Sequence, residues 1–244
     1  MKSLVLVFIC WFISFNLFSQ ESFESGEVIY SVKIASKSNF ENPLKRNDFN
    51  GFRKKMDRFS ETVSYRLKFN RVSSLFSVNL DMTLEKEESF SKLAKVLTKS
   101  DHVYFVDFRK KTLIEQKPFF GEDFLVQSST SDLKWELINE TKVIGSYTCY
   151  KAKVKRKRSG PYKGEDAYIT YIAWYCPTIP FNYGPFEFCN LPGLIIELSI
   201  KNRIYRATKV VLKKEEMKIQ KPSKGKLVTK EELESIGKKA FENR

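Results

Sequence analysis

The stretch FCNLPGLIIELSI, Phe188 to Ile200, places a Pro-Gly corner directly before an apolar run. Leu191-Pro192-Gly193-Leu194 fits a type II turn, because proline supplies the φ of the second position and glycine the positive φ of the third. The residues after it alternate, with Ile196, Leu198 and Ile200 on one side and Glu197, Ser199 and Lys201 on the other, the period of a β-strand. Upstream, CPTIPFNYGPFEFCN holds Pro177, Pro180 and Pro185, so with Pro192 half of the eight prolines fall between 177 and 192. Proline cannot donate to a sheet ladder, which makes this segment a stiff, aromatic-rich loop leading into a buried strand.

Working outward, two-residue alternation dominates. Val28, Tyr30, Val32 and Ile34 share one side of a strand, and Tyr65, Leu67 and Phe69 pair with Phe76, Val78 and Leu80 across a turn near Asn70 and Arg71. Between these strands, the charged segment through Asn42, Pro43 and Lys55 reads as a loop with a short helix. From Leu84 to Lys99 the period changes: Phe90, Leu93, Ala94 and Leu97 recur at helical spacing, predicting an amphipathic helix on one sheet face. Strands resume at HVYFVDF, turn at RKK, and continue through TLIEQ, FLVQS, KWELI and SYTCYKAKVKR. AYITYIAWYC closes a long hairpin across 159–164, and LIIELSIKNRIYRATKVVLKK forms another that turns near Asn202. Near the end, Thr229 with Glu232 three residues later is a capping box for a short helix striped by Leu233, Ile236, Ala240 and Phe241. The fold class is therefore mainly β, a β-rich α+β chain: a curved antiparallel sheet or incomplete barrel with one or two covering helices. Large side chains on both sides of the 147–176 hairpin predict that both sheet faces are at least partly covered.

The opening residues 1–19 carry Lys2 and then an apolar run from Leu4 to Phe18, the layout of a secretory signal peptide, and the run is shorter than a membrane span requires. Removal after Ser19 leaves 20–244 as one β-rich domain with no further apolar stretch long enough to cross a membrane. Export is the expected destination, whether periplasm, cell surface or medium. With 43 Lys and Arg against 29 Asp and Glu, the formal charge is +14. Such an excess favours polyanionic partners, and export weighs against nucleic acid. The partners expected are an apolar or anionic envelope component, or an envelope protein. The densest basic run, Lys151 to Lys163, reads first as a solvated hairpin tip and only second as a binding patch.

Cys149, Cys176 and Cys189 lie beyond the leader, an odd number for an oxidising compartment. A bridge between two of them is expected, with Cys176 and Cys189 nearest in sequence; pairing across the 159–164 turn sets Cys149 near Ala173. There is no C-x-x-C and a single histidine, His102, so no metal site is expected. No cofactor and no catalytic residues are assigned either, since nucleophile elbow, P-loop, dinucleotide fingerprint and H-E-x-x-H are all missing from the sequence. A Ser/His or Cys/His pair could be built only at His102, which reads as a strand-initiating structural residue. An acid pair such as Asp166 with Glu197 stays open.

Trp135, Lys142, Ile144, Gly145, Tyr147, Cys149, Lys151 and Ala152, followed by Ala173, Trp174, Tyr175, Ile179, Pro180, Gly184, Pro185, Phe188 and Leu191, Pro192, Gly193, Leu194 and Ile195, resemble the GLPGLI family of exported proteins of Bacteroidetes-type bacteria, the Porphyromonas-type GLPGLI domain. Asn190 stands where the family name has its first glycine, and asparagine tolerates the left-handed backbone that glycine supplies. The resemblance implies an exported β-rich protein and transfers no catalytic residues. Two functions follow as expectations, with hydrolysis ranked below both. The first is a non-enzymatic binding module for an apolar or amphiphilic ligand held by a bent sheet, an analogy at the level of fold. The second is a structural or partner-binding module of the envelope, using the 177–193 loop or the edge strands. A filled interior would count against the first, and burial of Trp174, Tyr183 and Phe186 against the loop as a contact surface.

Overall fold

A computed structural model describes residues 22–34, 63–79, 101–158 and 163–242. The leader, the 43–55 segment, the Leu84 to Lys99 helix and the tip of the basic hairpin lie outside the described residues, as do the side chains of Asp166 and Phe241.

The described chain is mostly strand. β1 (Ser25–Ile34), β2 (Ser64–Asn70), β3 (Ser73–Asn79), β4 (Val103–Asp107), β5 (Thr112–Phe119) and β6 (Glu122–Ser129) form a meander. After a 3-10 turn at Thr130–Asp132 come β7 (Glu136–Ile144), β8 (Tyr147–Lys157), β9 (Tyr168–Cys176), β10 (Leu194–Ile200) and β11 (Arg203–Lys213). The chain ends in β12 (Lys226–Thr229) and helix α1 (Lys230–Glu242). All twelve strands belong to one open, curved sheet in the order β12-β6-β5-β4-β3-β2-β1-β11-β10-β9-β8-β7. Two meanders thus meet where β1 pairs with β11, in register from Ser25↔Lys213 to Ile34↔Arg203. The sheet does not close into a barrel, because β12 and β7 remain its two ends.

Local chemistry explains most turns. Asn70 Oδ1 accepts from the backbone N–H groups of Val72 and Ser73, which closes the β2–β3 hairpin where the sequence predicts it. Gly145, first residue of the two-residue β7–β8 turn, has φ +59°, the placement that a II′ hairpin gives to glycine. The capping box forms reciprocally, with Thr229 N–H donating to Glu232 Oε2 at 2.7 Å and Glu232 N–H to Thr229 Oγ1 at 3.2 Å. The strand before this helix was not expected, and it pairs with β6 in parallel, the one parallel pair among the described residues. It brings Val228 and Leu233 onto Phe124 and Val126, a small apolar cluster at that end of the sheet.

Two further expectations need correction. The Pro-Gly corner is not a hydrogen-bonded type II turn. Gly193 N–H donates to Leu191 O at 2.8 Å, a three-residue turn centred on Pro192, while Leu194 N–H reaches back to Ile179 O at 3.1 Å. Gly193 still has positive φ, +147°. The β8–β9 register runs from Tyr150↔Tyr175 to Lys157↔Tyr168, so Ala152 faces Ala173, and the same register continued by one step sets Cys149 opposite Cys176 rather than near Ala173.

Candidate functional site

The 177–193 loop is the centre of the molecule. Phe181, Tyr183, Phe186 and Phe188 are all buried in the main core with Tyr30, Tyr65, Phe69 and Phe76. Phe186 adopts φ +57°, a conformation that costs a bulky L-residue strain. Its ring meets Tyr65, Phe76, Tyr104 and Tyr205 at centroid distances of 5.9, 4.8, 5.5 and 4.9 Å, so aromatic packing offsets that strain. The loop is tied down by its own backbone. Ile195 N–H donates to Tyr183 O, Asn190 N–H to Asn182 O, and Trp135 Nε1 to Cys189 O at 2.8 Å. Asn190 has φ +70°, the left-handed backbone its side chain tolerates, and its Nδ2 donates to Thr130 O. A Cβ at Gly184 would lie 2.5 Å from Ile195 Cδ1, and one at Gly193 would lie 2.3 Å from Cys176 O.

Most residues singled out from sequence are thus brought together, and their contacts are structural. Leu191, Leu194 and Ile195 are core residues, and Pro180, Pro185 and Pro192 shape the path of the loop. Tyr183 and Phe186 are buried and Trp174 is half-buried, so these rings offer little surface, while Pro177, Thr178 and Pro180 of the same loop are exposed. Between Ile195 and Glu197 the β9–β10 register shifts, leaving Ile196 as a bulge, and the Ile195 carbonyl accepts a 2.6 Å bond from Tyr30 Oη across the sheet.

Paired residues on neighbouring strands share a sheet face. On β8 to β11, Ala152, Ala173, Leu198 and Tyr205 form one such row and lie in the aromatic core. Lys151, Trp174, Glu197 and Arg206 form the neighbouring row, on the opposite face. There the Glu197 carboxylate, its side chain 4% exposed, is held by Lys142 Nζ at 2.7 Å and Arg206 Nε at 2.5 Å. Lys142 Nζ also sits 4.2 Å from the centre of the Trp174 ring, and Lys151 Nζ lies 5.8 Å from it. Because Lys142 belongs to β7 and Glu197 to β10, this ion pair spans the strands between them and marks how tightly the sheet curves.

The cysteines are not bridged: Cys149, Cys176 and Cys189 are free and buried, against the expectation of a disulfide. The backbone of Cys189 forms the loop's short bridge with Tyr183. Cys176 Sγ lies 3.0 Å from Thr178 Oγ1. Burial pushes the thiols of Cys149 and Cys189 up to about 12, so both are protonated and unreactive near neutral pH. His102 Nδ1 donates to Glu115 Oε1 at 2.8 Å, and Tyr104 Oη and Lys117 Nζ also converge on the Glu115 carboxylate, the arrangement of a strand anchor. Glu197 is committed to two cations. Among the described residues no group of three or more His, Cys, Asp or Glu side chains could hold a metal ion.

Part of the basic run is paired: Lys151 with Glu140, Lys153 with Glu136 and Arg156 with Glu187, the three cations all on β8, while the hairpin tip itself lies outside the described residues.

Sequence reasoning missed a cleft at one edge of the core, about 310 Å³ in volume. Tyr171, Phe186, Phe188, Tyr205, Ile169 and Ile200 form its apolar wall, and Glu187, Lys201, Asn202 and Arg203 add the polar part. Lys201 and Asn202 are the two-residue tip of the β10–β11 hairpin, where Lys201 has φ +54°. Alternation on β9 and β10 signalled the wall residues singly; only the loop's path puts Phe186 and Phe188 beside them.

Residues 155–197 match the family model described as "Protein of unknown function (Porph_ging)". The Porph_ging match runs from β8 through β9 and the buried loop to Glu197, and so includes the Trp174 to Ile195 part of the motif. Among solved structures, the chain is similar to PNGF-II in two crystal forms. In the P21 form the TM-score is 0.52 at 12% identity, over 87% of this chain and 33% of that one; in the C2 form it is 0.51 at 14%, over 88% and 32%. At that identity the likeness concerns fold alone, and this chain spans about a third of the length of PNGF-II. No curated protein sequence matches the chain.

Proposed function

We propose that this chain is an exported, non-enzymatic binding module of GLPGLI type that takes an amphiphilic ligand in the aromatic cleft. The observation that carries the reading is the cleft's make-up: an apolar wall of four aromatic rings and two isoleucines joined to a rim of Lys201, Asn202, Arg203 and Glu187, the last held by Arg156. Ligand sites combine such walls with a few orienting polar groups. An alkyl or aryl portion would lie against Tyr171, Phe188 and Ile200, with an acidic head toward Arg203. Its volume, about 310 Å³, suits a short chain rather than a whole diacyl lipid. The GLPGLI assignment is supported by the Porph_ging match over 155–197 and by the loop residues that the motif shares with it. Export is supported by the composition of residues 1–19. Among the described residues no helix is long and apolar enough to cross a membrane.

Calorimetric titration with dodecanoate, supported by native mass spectrometry of the complex, tests the cleft. Ile169→Trp fills the cleft from a half-buried position and is expected to weaken binding at least about tenfold with the melting temperature nearly unchanged. If wild-type protein binds no dodecanoate at millimolar concentration, the amphiphile reading is lost.

A second reading, a partner-binding module of the envelope, is favoured by one feature. β7 is an outer strand of the sheet, and it exposes Leu137 (58%) and Val143 (70%). An open strand edge with apolar side chains is a surface for strand addition. Cross-linking from a cysteine placed at Val143 in the native envelope would capture such a partner.

A further inference from the structure

A second cleft, about 430 Å³, opens on a different part of the sheet, between the β7–β8 turn and β11. Its lining includes Lys142, Ser146, Tyr147, Arg206, Thr208 and Lys209, and no acidic residue. Glu197 neighbours it, holding the heads of Lys142 and Arg206 on its two oxygens. Both cations are thereby fixed close together, yet their side chains remain 33% and 46% exposed and can be reached from solvent. Lys209 is exposed, and no ion-pair partner for it occurs among the described residues. Three cations against one carboxylate leave two positive charges at the cleft.

We infer that this cleft is a phosphate site, taking the dianionic head of a phosphate monoester between Lys142, Arg206 and Lys209. A dianion balances the local charge, and its terminal oxygens can accept from several donors at once, which a single carboxylate does less well. Arg206 presents a planar fork of donors, of which Nε is used by Glu197. The hydroxyls of Ser146 and Thr208 supply neutral donors in the same lining. Because Glu197 preorganises two of the three cations, little side-chain ordering is left for the ligand to impose. This site is separate from the aromatic cleft, so the two readings stand or fall independently.

The phosphate could belong to a soluble metabolite or to a lipid head group, and exposed Val143 at the cleft makes both geometrically accessible. Two probes distinguish them: glycerol 3-phosphate by calorimetry at low salt, and phosphatidylcholine vesicles containing phosphatidic acid by co-sedimentation. Binding of either probe supports the site, the vesicle arm alone pointing to a lipid and the soluble arm alone to a metabolite. Lys209→Glu is expected to weaken the bound probe about tenfold or more, with an unchanged melting temperature because the side chain is exposed and unpaired among the described residues. Lys155→Glu makes the same charge change on exposed β8 and is expected to leave affinity within about twofold. Failure of both probes to bind at millimolar concentration overturns the proposal, as does an equal loss in Lys155→Glu, which would reduce the effect to net charge.

Discussion

Leu198 and Glu197 are neighbours on β10, both almost fully buried, yet they serve opposite faces of the same sheet. Leu198 enters the aromatic core beside Ala173 and Tyr205, where stabilisation comes from apolar area and close packing. Glu197 faces the other way and is stabilised by Lys142 and Arg206, which reach it from β7 and β11. Both residues are buried, by different physics. The aromatic face is filled by volume, whereas the charged face depends on the position of a few atoms and holds the curvature of the β7–β11 half.

The largest expected effect breaks both faces together. Gly193→Ala forces a Cβ into the backbone of Cys176, 2.3 Å from its carbonyl oxygen, and does so at φ +147°. A loss of more than about 4 kcal/mol, or failure to fold, is expected from a clash with rigid backbone. Urea denaturation of purified protein, or its absence from the soluble fraction, reads this out. Next, Leu198→Ala leaves a cavity in the aromatic core and is expected to cost about 3 kcal/mol by the same titration.

Glu197→Gln sharpens the contrast between the faces. It keeps the shape but removes the charge that joins two cations. Because Lys142 and Arg206 are a third and nearly a half exposed, solvent screens the loss, and the expected cost is about 1–2 kcal/mol. If Glu197→Gln proves costlier than Leu198→Ala, the assignment of packing to one face and positioning to the other is wrong.

The buried core also has an alkaline limit. Burial raises the ionisation of Tyr30 and Tyr65 far above the usual phenol range, and pushes Cys149 and Cys189 up to about 12. The folded chain therefore keeps protons that the unfolded chain releases above about pH 8.5 for thiols and 10 for phenols. The stability they contribute is complete below that range and falls progressively as pH rises toward 12. Chemical denaturation at pH 7, 9 and 10.5 should show a drop that begins at pH 9, where the thiols of the unfolded chain already ionise, and deepens at 10.5 as the phenols follow; a flat profile would mean that these groups are hydrated in the native state.

The smallest effect has the opposite sign. Tyr183 Oη is buried and finds no hydrogen-bond partner among the described residues. Tyr183→Phe removes that unsatisfied group while keeping the ring against Phe69, and is expected to be neutral or to stabilise by about 1 kcal/mol. A large loss in the melting temperature would show that the hydroxyl does have a partner.

Legibility followed distance along the chain. The hairpin at Asn70, the capping box at Thr229 and the alternation of β1 were readable because each depends on residues a few positions apart. The Pro-Gly corner was half readable. Proline and a positive-φ glycine predict a tight turn, but Leu194 N–H finds a better-placed acceptor in Ile179, and no local rule anticipates that competitor. The β8–β9 register was misread because its loop length does not specify which residues face each other, and the misplacement carried over to Cys149 and Cys176. The cluster at Glu197 gave no signal at all: Lys142 and Arg206 meet it only through the curvature of the sheet.

The amino-acid order alone determined that this chain alternates into antiparallel strands, that a proline-stiffened aromatic loop precedes β10, and that a capped helix ends it, since dihedral preferences and side-chain period act within a few residues. Tertiary structure decided which way that loop turns its rings, which thiols face each other, and where two clefts open. Those outcomes depend on contacts between segments far apart in sequence, whose free energies exist only once the sheet has curved.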